Sequence, residues 1–155
     1  AGEARLILER AGVQTSEPEV PMKGSGPVEF PGNLVIDTGE DFYTVGKPHP
    51  MVDQTVRCEL IRKVGADASV GLVLLDLVLG DGSHADPGPE IAAAVEAARK
   101  ARAGKPLVVV ASVTGTDSDP QVASRQRAAL ESAGIEVQPT AASAAMLAAS
   151  LIAAK

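Results

Sequence analysis

Two long apolar runs constrain the fold of this chain more than any other feature of its sequence. They are VGLVLLDLVL over Val70–Leu79 and PLVVVASV over Pro106–Val113. Runs of branched apolar residues without polar alternation are typical of parallel strands that are buried on both faces. The segment between them predicts a helix over residues 89–103, which supplies the crossover that two parallel strands require.

Shorter elements complete the pattern. The sequence predicts strands over 34–37 and 135–139, and either a short strand or an extended loop over 42–45. Further helices are predicted over 54–64, capped by Asp53, after Asp119-Pro120, and over 141–154, where Thr140 or Ser143 begins the helix. The resulting order, β-α-β-α-β-α-β-α, predicts a three-layer α/β domain: an open, mostly parallel sheet with helices on both faces.

The first 33 residues lack the alternating strand and helix pattern of the rest of the chain. Residues 1–11 predict a helix with Leu6, Ile7 and Ala11 on one face and Gly12 as its stop. Four prolines and three glycines follow before residue 33, a composition typical of linkers. We therefore expect a helix and linker over 1–33 and a folded domain over 34–155.

Composition and charge argue against several classes of function. Aromatic residues make up 2% of the chain and the net charge is −6, whereas nucleic acids and anionic membranes are bound by basic patches, with aromatic faces added for single strands. A single cysteine, Cys58, excludes an internal disulfide and a CxxC site. The sequence has no signal-peptide pattern and no apolar stretch of about 20 residues, the length that a membrane helix needs. We expect a cytoplasmic protein that binds neither nucleic acid nor membranes.

Three polar loops are predicted at one edge of the sheet, where ligands of open α/β folds bind. They are GKPHPMVD (46–53), DLVLGDGSHADPGP (76–89) and TGTDSDPQ (114–121), and they hold both histidines of the chain. His84, His49 and Asp76 are the candidate catalytic residues. Asp81 and Asp86 flank His84, and three interpretations of this histidine remain: a metal ligand, a general base, or a polar loop residue between aspartates that cap helices.

Asp76 lies inside an apolar run, so we expect a buried carboxylate. Such a group has to be paired, and either Arg57 or Arg62 satisfies it or it faces the site. Cys58 is read as a structural thiol and Asp119 as a helix cap, while Arg125 either reaches an anion at its helix start or lies on a solvated face.

Glycines in the same loops make an anion site possible. Residues 80–85, GDGSHA, match a GxGxxA pattern between a strand and a helix. Two prolines interrupt the helix start, and no acidic residue ends the next strand, so a glycine-rich connection is favoured over a nucleotide site. The candidate residues for binding a phosphate or another anion are Gly80, Gly82, Thr114, Gly115 and Thr116.

Three segments resemble a known family. PHPMVDQTVR (48–57), LLDLVLGDGSHADP (74–87) and SVTGTDSDPQVASRQRAALESAGIEV (112–137) are similar to the C-terminal part of FdrA-family proteins, which are relatives of the succinyl-CoA synthetase alpha subunit and of NDP-forming acyl-CoA synthetases. The resemblance implies a flavodoxin-like CoA-ligase domain, CoA or a phosphate or nucleotide as ligand, and ligase or acyl- or carbamoyl-transferase chemistry. It also implies a CoA-binding Rossmann domain or subunit as partner, within a homo- or hetero-oligomer.

The resemblance breaks at one functional position. In the catalytic relatives a histidine in the loop after the second buried strand carries the phosphoryl group, but the matching loop here, Thr114–Gln121, has no histidine. The phosphohistidine shuttle therefore does not carry over, and His84 lies in the loop where those enzymes tend to place an acidic residue. Three hypotheses stay open: a domain of a ligase or transferase assembly, a non-catalytic interface module, and a small regulatory domain that binds an anion or a metal.

Overall fold

The two apolar runs form the centre of the sheet in the computed structural model, which describes residues 1–18 and 32–154. They become β3 (Leu72–Val78) and β4 (Val108–Thr114), which pair in parallel with Leu72 opposite Val108. A short strand, β5 (Glu136–Gln138), pairs in parallel with the other side of β4, so the strand order is β3-β4-β5. The predicted strands in these three places are confirmed.

Helices connect the strands much as the sequence predicts. The helices are α1 (Gly2–Arg10), α2 (Asp41–Thr44), α3 (Thr55–Ala66), α4 (Pro87–Ala101), α5 (Ala123–Ser132) and α6 (Ala141–Ala153). Thr140 begins α6 through a capping box: its Oγ1 accepts from the Ser143 N–H at 3.0 Å, and the Ser143 Oγ accepts from the Thr140 N–H at 3.0 Å. This reciprocal pair satisfies two donors that a helix start otherwise leaves open.

The core has one layer on each side of the three-stranded sheet. On one side α3, α4 and α5 pack against the sheet through residues that include Ile61, Ile91 and Leu130. On the other side α1 and α6 pack against Leu72 and Leu74 of β3. Parallel strands between two helical layers confirm the α/β class and fit a flavodoxin-like fold.

Two short elements differ from prediction. The strand expected over 34–37 is reduced to β2 (Asn33–Leu34), which pairs with β1 (Thr15–Ser16) in a separate two-stranded sheet. The segment 42–45, predicted as a strand or an extended loop, forms most of the helix α2 instead. The Glu40 carbonyl accepts from the N–H groups of Tyr43 and Thr44 at 2.9 and 3.2 Å, so one helical turn closes despite the strand propensity of the aromatic residues.

The prediction that β3 is a central strand is wrong, although helices pack on both of its faces. Within the described residues β4 is its only neighbour, so β3 is an edge strand. Asp76, expected to be buried, has a side chain that is 62% exposed. Its nearest cation is the Arg57 guanidinium, 4.0 Å from the carboxylate, and Arg57 also donates to the Asp76 main-chain carbonyl at 2.7 Å.

The N-terminal helix packs on the domain through a residue that the pattern did not select. Leu8 is buried against Ala148 and Ala149 of α6, whereas Leu6, predicted to face inward, is 48% exposed. Part of the predicted linker, residues 19–31, lies outside the described residues, and the boundary at residue 33 stays a prediction. In the ranges that are described, no helix has the length and apolar character needed to cross a bilayer.

Candidate functional site

The candidate site lies where β3 and β4 end side by side. Beyond the strands, the Leu79 N–H donates to the Thr114 carbonyl at 2.9 Å, which holds the starts of the two following loops together. Gly115 has a φ of +155°, and a Cβ there would lie 2.7 Å from the Leu79 Cβ. Only glycine fits this crossing, because a side chain would be both strained and blocked.

Gln121 joins the loop after β4 to the loop after β3. Its side chain is buried, and its Nε2 donates to the carbonyls of Gly80 and His84 at 3.0 and 3.2 Å and to the Ser83 Oγ at 2.9 Å. Its Oε1 accepts from the Gly80 N–H at 3.1 Å. One amide thus fixes the path of the glycine-rich loop. Val122, the next residue, has a φ of 57°, a strained conformation for a β-branched side chain.

Gln126 makes a second buried connection beneath this loop. Its Oε1 accepts from the Gly88 N–H at 2.8 Å, and its Nε2 donates to Asp86 Oδ1 and to the Gln121 carbonyl, both at 2.9 Å. A Cβ on Gly88 would lie 2.7 Å from Gln126 Oε1, so this glycine allows the start of α4 to approach α5. The other Asp86 oxygen accepts from the exposed Arg125 guanidinium at 2.5 Å.

His84 has a polar neighbour at each ring nitrogen. Its Nδ1 accepts from the Asp86 N–H at 3.1 Å, and its Nε2 lies 3.2 Å from the Glu90 carboxylate. Because Nδ1 accepts from the Asp86 N–H, it keeps a lone pair, and the ring proton lies on Nε2, on the side of Glu90. The His84 side chain is 22% exposed. Of the three interpretations of His84, the general base fits this arrangement best. A histidine beside a carboxylate is the pair used in acid–base and group-transfer chemistry.

His49 reaches the site only through the main chain of its loop. The Met51 carbonyl accepts from the His84 N–H at 2.6 Å, so the loop 46–53 lies against the loop after β3. The His49 Nδ1 accepts from the Met51 N–H at 3.1 Å, and its Nε2 lies beside Gly39, where an added Cβ would be 2.8 Å away. The three predicted loops thus lie together, but the His49 ring lies beside Gly39 and is not hydrogen-bonded to His84.

Two other candidates have local partners. Asp76 lies on the free edge of β3 beside Arg57, as described above. Asp53 Oδ1 accepts from the Thr55 N–H at 2.7 Å, but the N-cap of α3 is Gln54, one residue later than predicted. Hydrogen bonds from Thr55 lower the pKa of this carboxyl group, and the nearby His84 and Lys47 lower it further.

Two of the predicted anion donors are already engaged. The Gly80 N–H donates to Gln121, and the Thr116 N–H donates to Asp119 Oδ2 at 2.5 Å. Asp119 therefore closes the loop and does not cap the helix. The N-cap is Val122, because α5 begins at Ala123, three residues later than predicted. A first-turn donor, the Ser124 N–H, is bonded instead by Asp117 Oδ1 from the preceding loop, at 2.7 Å. Anion binding by Gly82, Thr114 and Gly115 stays a prediction.

The geometry does not support the metal reading. Across residues 1–18 and 32–154, no three histidine, cysteine, aspartate or glutamate side chains come together as metal ligands. Burial raises the pKa of the Cys58 thiol, whose Sγ lies 3.6 Å from the Glu90 carbonyl. A thiol that is kept protonated in this way is a poor nucleophile, in agreement with its structural reading.

The sequence did not single out the residues that organise the site. Gln121, Gln126 and Glu90 carry no motif, and both glutamines make contacts that bridge positions 37 to 41 residues apart. The sequence offers only a weak indication of their role. The two glutamines lie near the start of a predicted helix, among residues that are mostly small or charged. Their importance depends on tertiary contacts that periodicity does not encode.

The fold and these loops define an α/β domain with a histidine–carboxylate pair at the carboxyl edge of a parallel sheet. The family model described as CoA-ligase matches residues 1–151, and the chain belongs to this family. It is 35% identical over 118 residues, 73% of its length, to "Uncharacterized protein YahF" of Escherichia coli (strain K12). The matched region covers 22% of that relative, so the chain spans about a fifth of the longer protein's length.

Proposed function

We propose that this chain is the group-transfer domain of an FdrA-type assembly with acyl-CoA synthetase-like or acyl- or carbamoyl-transferase activity. The observation that carries the proposal is His84, held between the Asp86 N–H and the Glu90 carboxylate where the three loops meet. The proposed substrate class is a small acyl, carbamoyl or phosphoryl donor. The reaction site is completed by a CoA-binding protein or domain, in keeping with the family and with the greater length of YahF.

His84 offers one reactive atom. The Glu90 carboxylate lies 3.2 Å from Nε2, in position to take up the Nε2 proton during transfer. Once the donor displaces the Asp86 N–H, the lone pair on Nδ1 attacks the acyl, carbamoyl or phosphoryl centre of the donor. The bond from this centre to the leaving group breaks, the leaving group departs with the electron pair, and the Nε2 proton passes to Glu90. The neutral hydrogen bond from the Asp86 N–H contributes about 1 kcal/mol, so its exchange costs little compared with a catalytic barrier.

Several groups near His84 that could bind the phosphate groups of CoA are already engaged. Recognition of phosphate needs free cations or free N–H donors. Here Arg125 is paired with Asp86, Arg127 donates to the Val113 carbonyl, and the Gly80 N–H is bonded to Gln121. We therefore place CoA binding on the partner and derive no step of the reaction through CoA on this chain.

The test uses the full chain in complex with the proposed CoA-binding partner. The assay measures transfer from [14C]carbamoyl phosphate and release of the CoA thiol from acyl-CoA. We expect His84→Gln to lower kcat by at least about 100-fold with the affinity of the two proteins unchanged. Glu90→Gln should lower kcat less and shift the pH profile, because it removes the group that takes up the Nε2 proton. Glu131→Gln, at the far end of α5, is the matched control and should leave kcat unchanged.

A non-catalytic interface module is the second candidate. The loop Thr114–Gln121 has no histidine, and its Thr116 and Gln121 are occupied by internal hydrogen bonds, as a purely structural loop would be. If His84→Gln leaves kcat unchanged while the complex stays intact, this second function is correct and the group-transfer proposal is wrong.

A further inference from the structure

β3, the first strand of the three-stranded sheet, is more apolar than expected for a strand with its degree of exposure. β3 reads LVLLDLV, yet only Leu77 in it is buried, and Leu72 to Leu75 keep partial exposure. The central strand β4 reads VVVASVT, and five consecutive residues of it are buried. The more hydrophobic strand is therefore the more exposed one. A continuous apolar run is typical of a strand with neighbours on both sides.

The hydrogen bonds that join β3 to β4 show which main-chain groups are left over. The Gly71 carbonyl accepts from the Val108 N–H at 3.1 Å, and the Leu79 N–H donates to the Thr114 carbonyl at 2.9 Å. In a parallel pair alternate residues bond to a given neighbour, so the odd-numbered residues of β3 face β4. The even-numbered residues point their N–H and C=O groups away from the sheet: Leu72, Leu74, Asp76 and Val78.

Little in the described residues covers this edge. The Asp76 carbonyl accepts from Arg57, and within residues 1–18 and 32–154 no other hydrogen bond is made by the outward main-chain groups of β3. Native edge strands are usually short, or carry charged side chains, proline or a bulge that prevents further pairing. β3 has seven residues, as many as β4, and Asp76 is its one charged residue among six apolar ones.

We propose that β3 accepts an extended strand from the CoA-binding partner and so becomes an interior strand of a larger sheet. The proposal rests on the partner of the proposed function. A segment outside this chain is the favoured occupant because the longer relative carries almost four-fifths of its length beyond the matched region. The added strand would pair with the outward main-chain groups and bury the exposed Val78, the mode of recognition known as β-augmentation.

A pair of variants at one position tests the strand addition. Asp76→Pro removes an outward N–H and places a ring on the free edge, but it leaves the β4 ladder intact. Asp76→Ala removes the same carboxylate and keeps the N–H. We expect Asp76→Pro to weaken the complex with the CoA-binding partner at least about tenfold in isothermal titration calorimetry, and Asp76→Ala to bind like the parent chain. Equal affinity of the two variants for the partner would overturn the proposal.

Hydrogen exchange of the unsubstituted chain gives a second measurement that does not depend on how the proline variant folds. The amides of the even-numbered residues of β3 should exchange rapidly in the chain alone and at least about 100-fold more slowly in the complex, whereas those of Val73 and Leu75 should be protected in both. Unchanged exchange on complex formation contradicts the proposal. Protection in the chain alone together with a dimer in light scattering also contradicts it, because a second copy then occupies the edge. Either result leaves the His84 assay, and with it the proposed function, to be judged separately.

Discussion

At the scale of single residues, buried amides and guanidinium groups connect parts of the chain that are distant in sequence. Arg102 is 3% exposed, and its guanidinium donates to main-chain carbonyls that include those of Gly65 and Val70, at 2.7 and 2.8 Å. Gln126 plays the corresponding part at the opposite edge of the sheet. Each such side chain satisfies several buried polar groups at once, so removing it leaves several without a partner.

The contribution of Gln126 can be measured against its neighbour. Gln126→Ala strips the Gly88 N–H and the Gln121 carbonyl of their buried partner, so we expect the free energy of unfolding to fall by about 2–3 kcal/mol. Arg125→Ala removes the other contact to Asp86, which is exposed, and should cost less than about 1 kcal/mol. Urea unfolding followed by circular dichroism checks both values. Similar costs for the two variants would show that the buried amide has no special role.

At the scale of elements, the start of α5 depends on the charge of a single carboxylate. Hydrogen bonds from the Ser124 N–H and hydroxyl hold the pKa of the Asp117 carboxyl group below its ordinary value of 3.8. A carboxyl pKa that is lower in the folded chain than in the unfolded chain stabilises the fold above the unfolded value, and this stabilisation disappears as the pH falls through the folded value.

Asp117→Asn separates this charge from the hydrogen bond, since the asparagine side chain also accepts hydrogen bonds. We expect the substituted chain to be less stable than the parent at pH 7 and to lose less stability on acidification below about pH 3.8. Urea midpoints between pH 7 and pH 2 measure the difference. Parallel curves for the two chains would contradict a role for the ionised form. Glu131→Gln, which neutralises a carboxylate at the other end of α5, serves as the control.

Long periodic elements could be predicted from the sequence, and short ones could not. The apolar runs specified β3 and β4 because seven residues of one pattern outweigh local competition. α2 is four residues long, so a single hydrogen-bonded turn determines that this segment is helical. Asp119 satisfied the rule for a cap, but Val122 takes a positive φ that delays the start of α5, and no propensity scale predicts this strain.

The sequence predicts where the candidate site lies, but it does not predict the side-chain contacts that build the site. Parallel topology alone brings the loops of His84 and Thr116 to one edge, and the structure places them there. The pairing of His84 with Glu90 required knowing that the loop folds back on α4. Apart from the bond that joins Gln126 to Gln121, the partners of these two residues are 37 to 41 positions away, so only the folded chain reveals them.

At the scale of the whole molecule, the open question is whether the N-terminal helix belongs energetically to the domain. Leu8 is 7% exposed and packs with Ala148 and Ala149 of α6 and with Leu72 and Leu74 of β3. The sequence pattern instead predicts that residues 1–33 are a helix and linker outside the domain. The two descriptions imply different unfolding energies.

Two substitutions on the same helix decide between them. If α1 is part of the core, Leu8→Ala opens a cavity against α6 and should lower the free energy of unfolding by about 2–4 kcal/mol. Leu6→Ala removes the same atoms from a side chain that is 48% exposed, and should change stability by no more than about 0.5 kcal/mol. Equally small effects in urea unfolding would mean that the helix docks without stabilising the sheet and that the domain begins near residue 34. A large effect of Leu8→Ala alone would extend the domain to α1, because its face of the sheet would then depend on this contact.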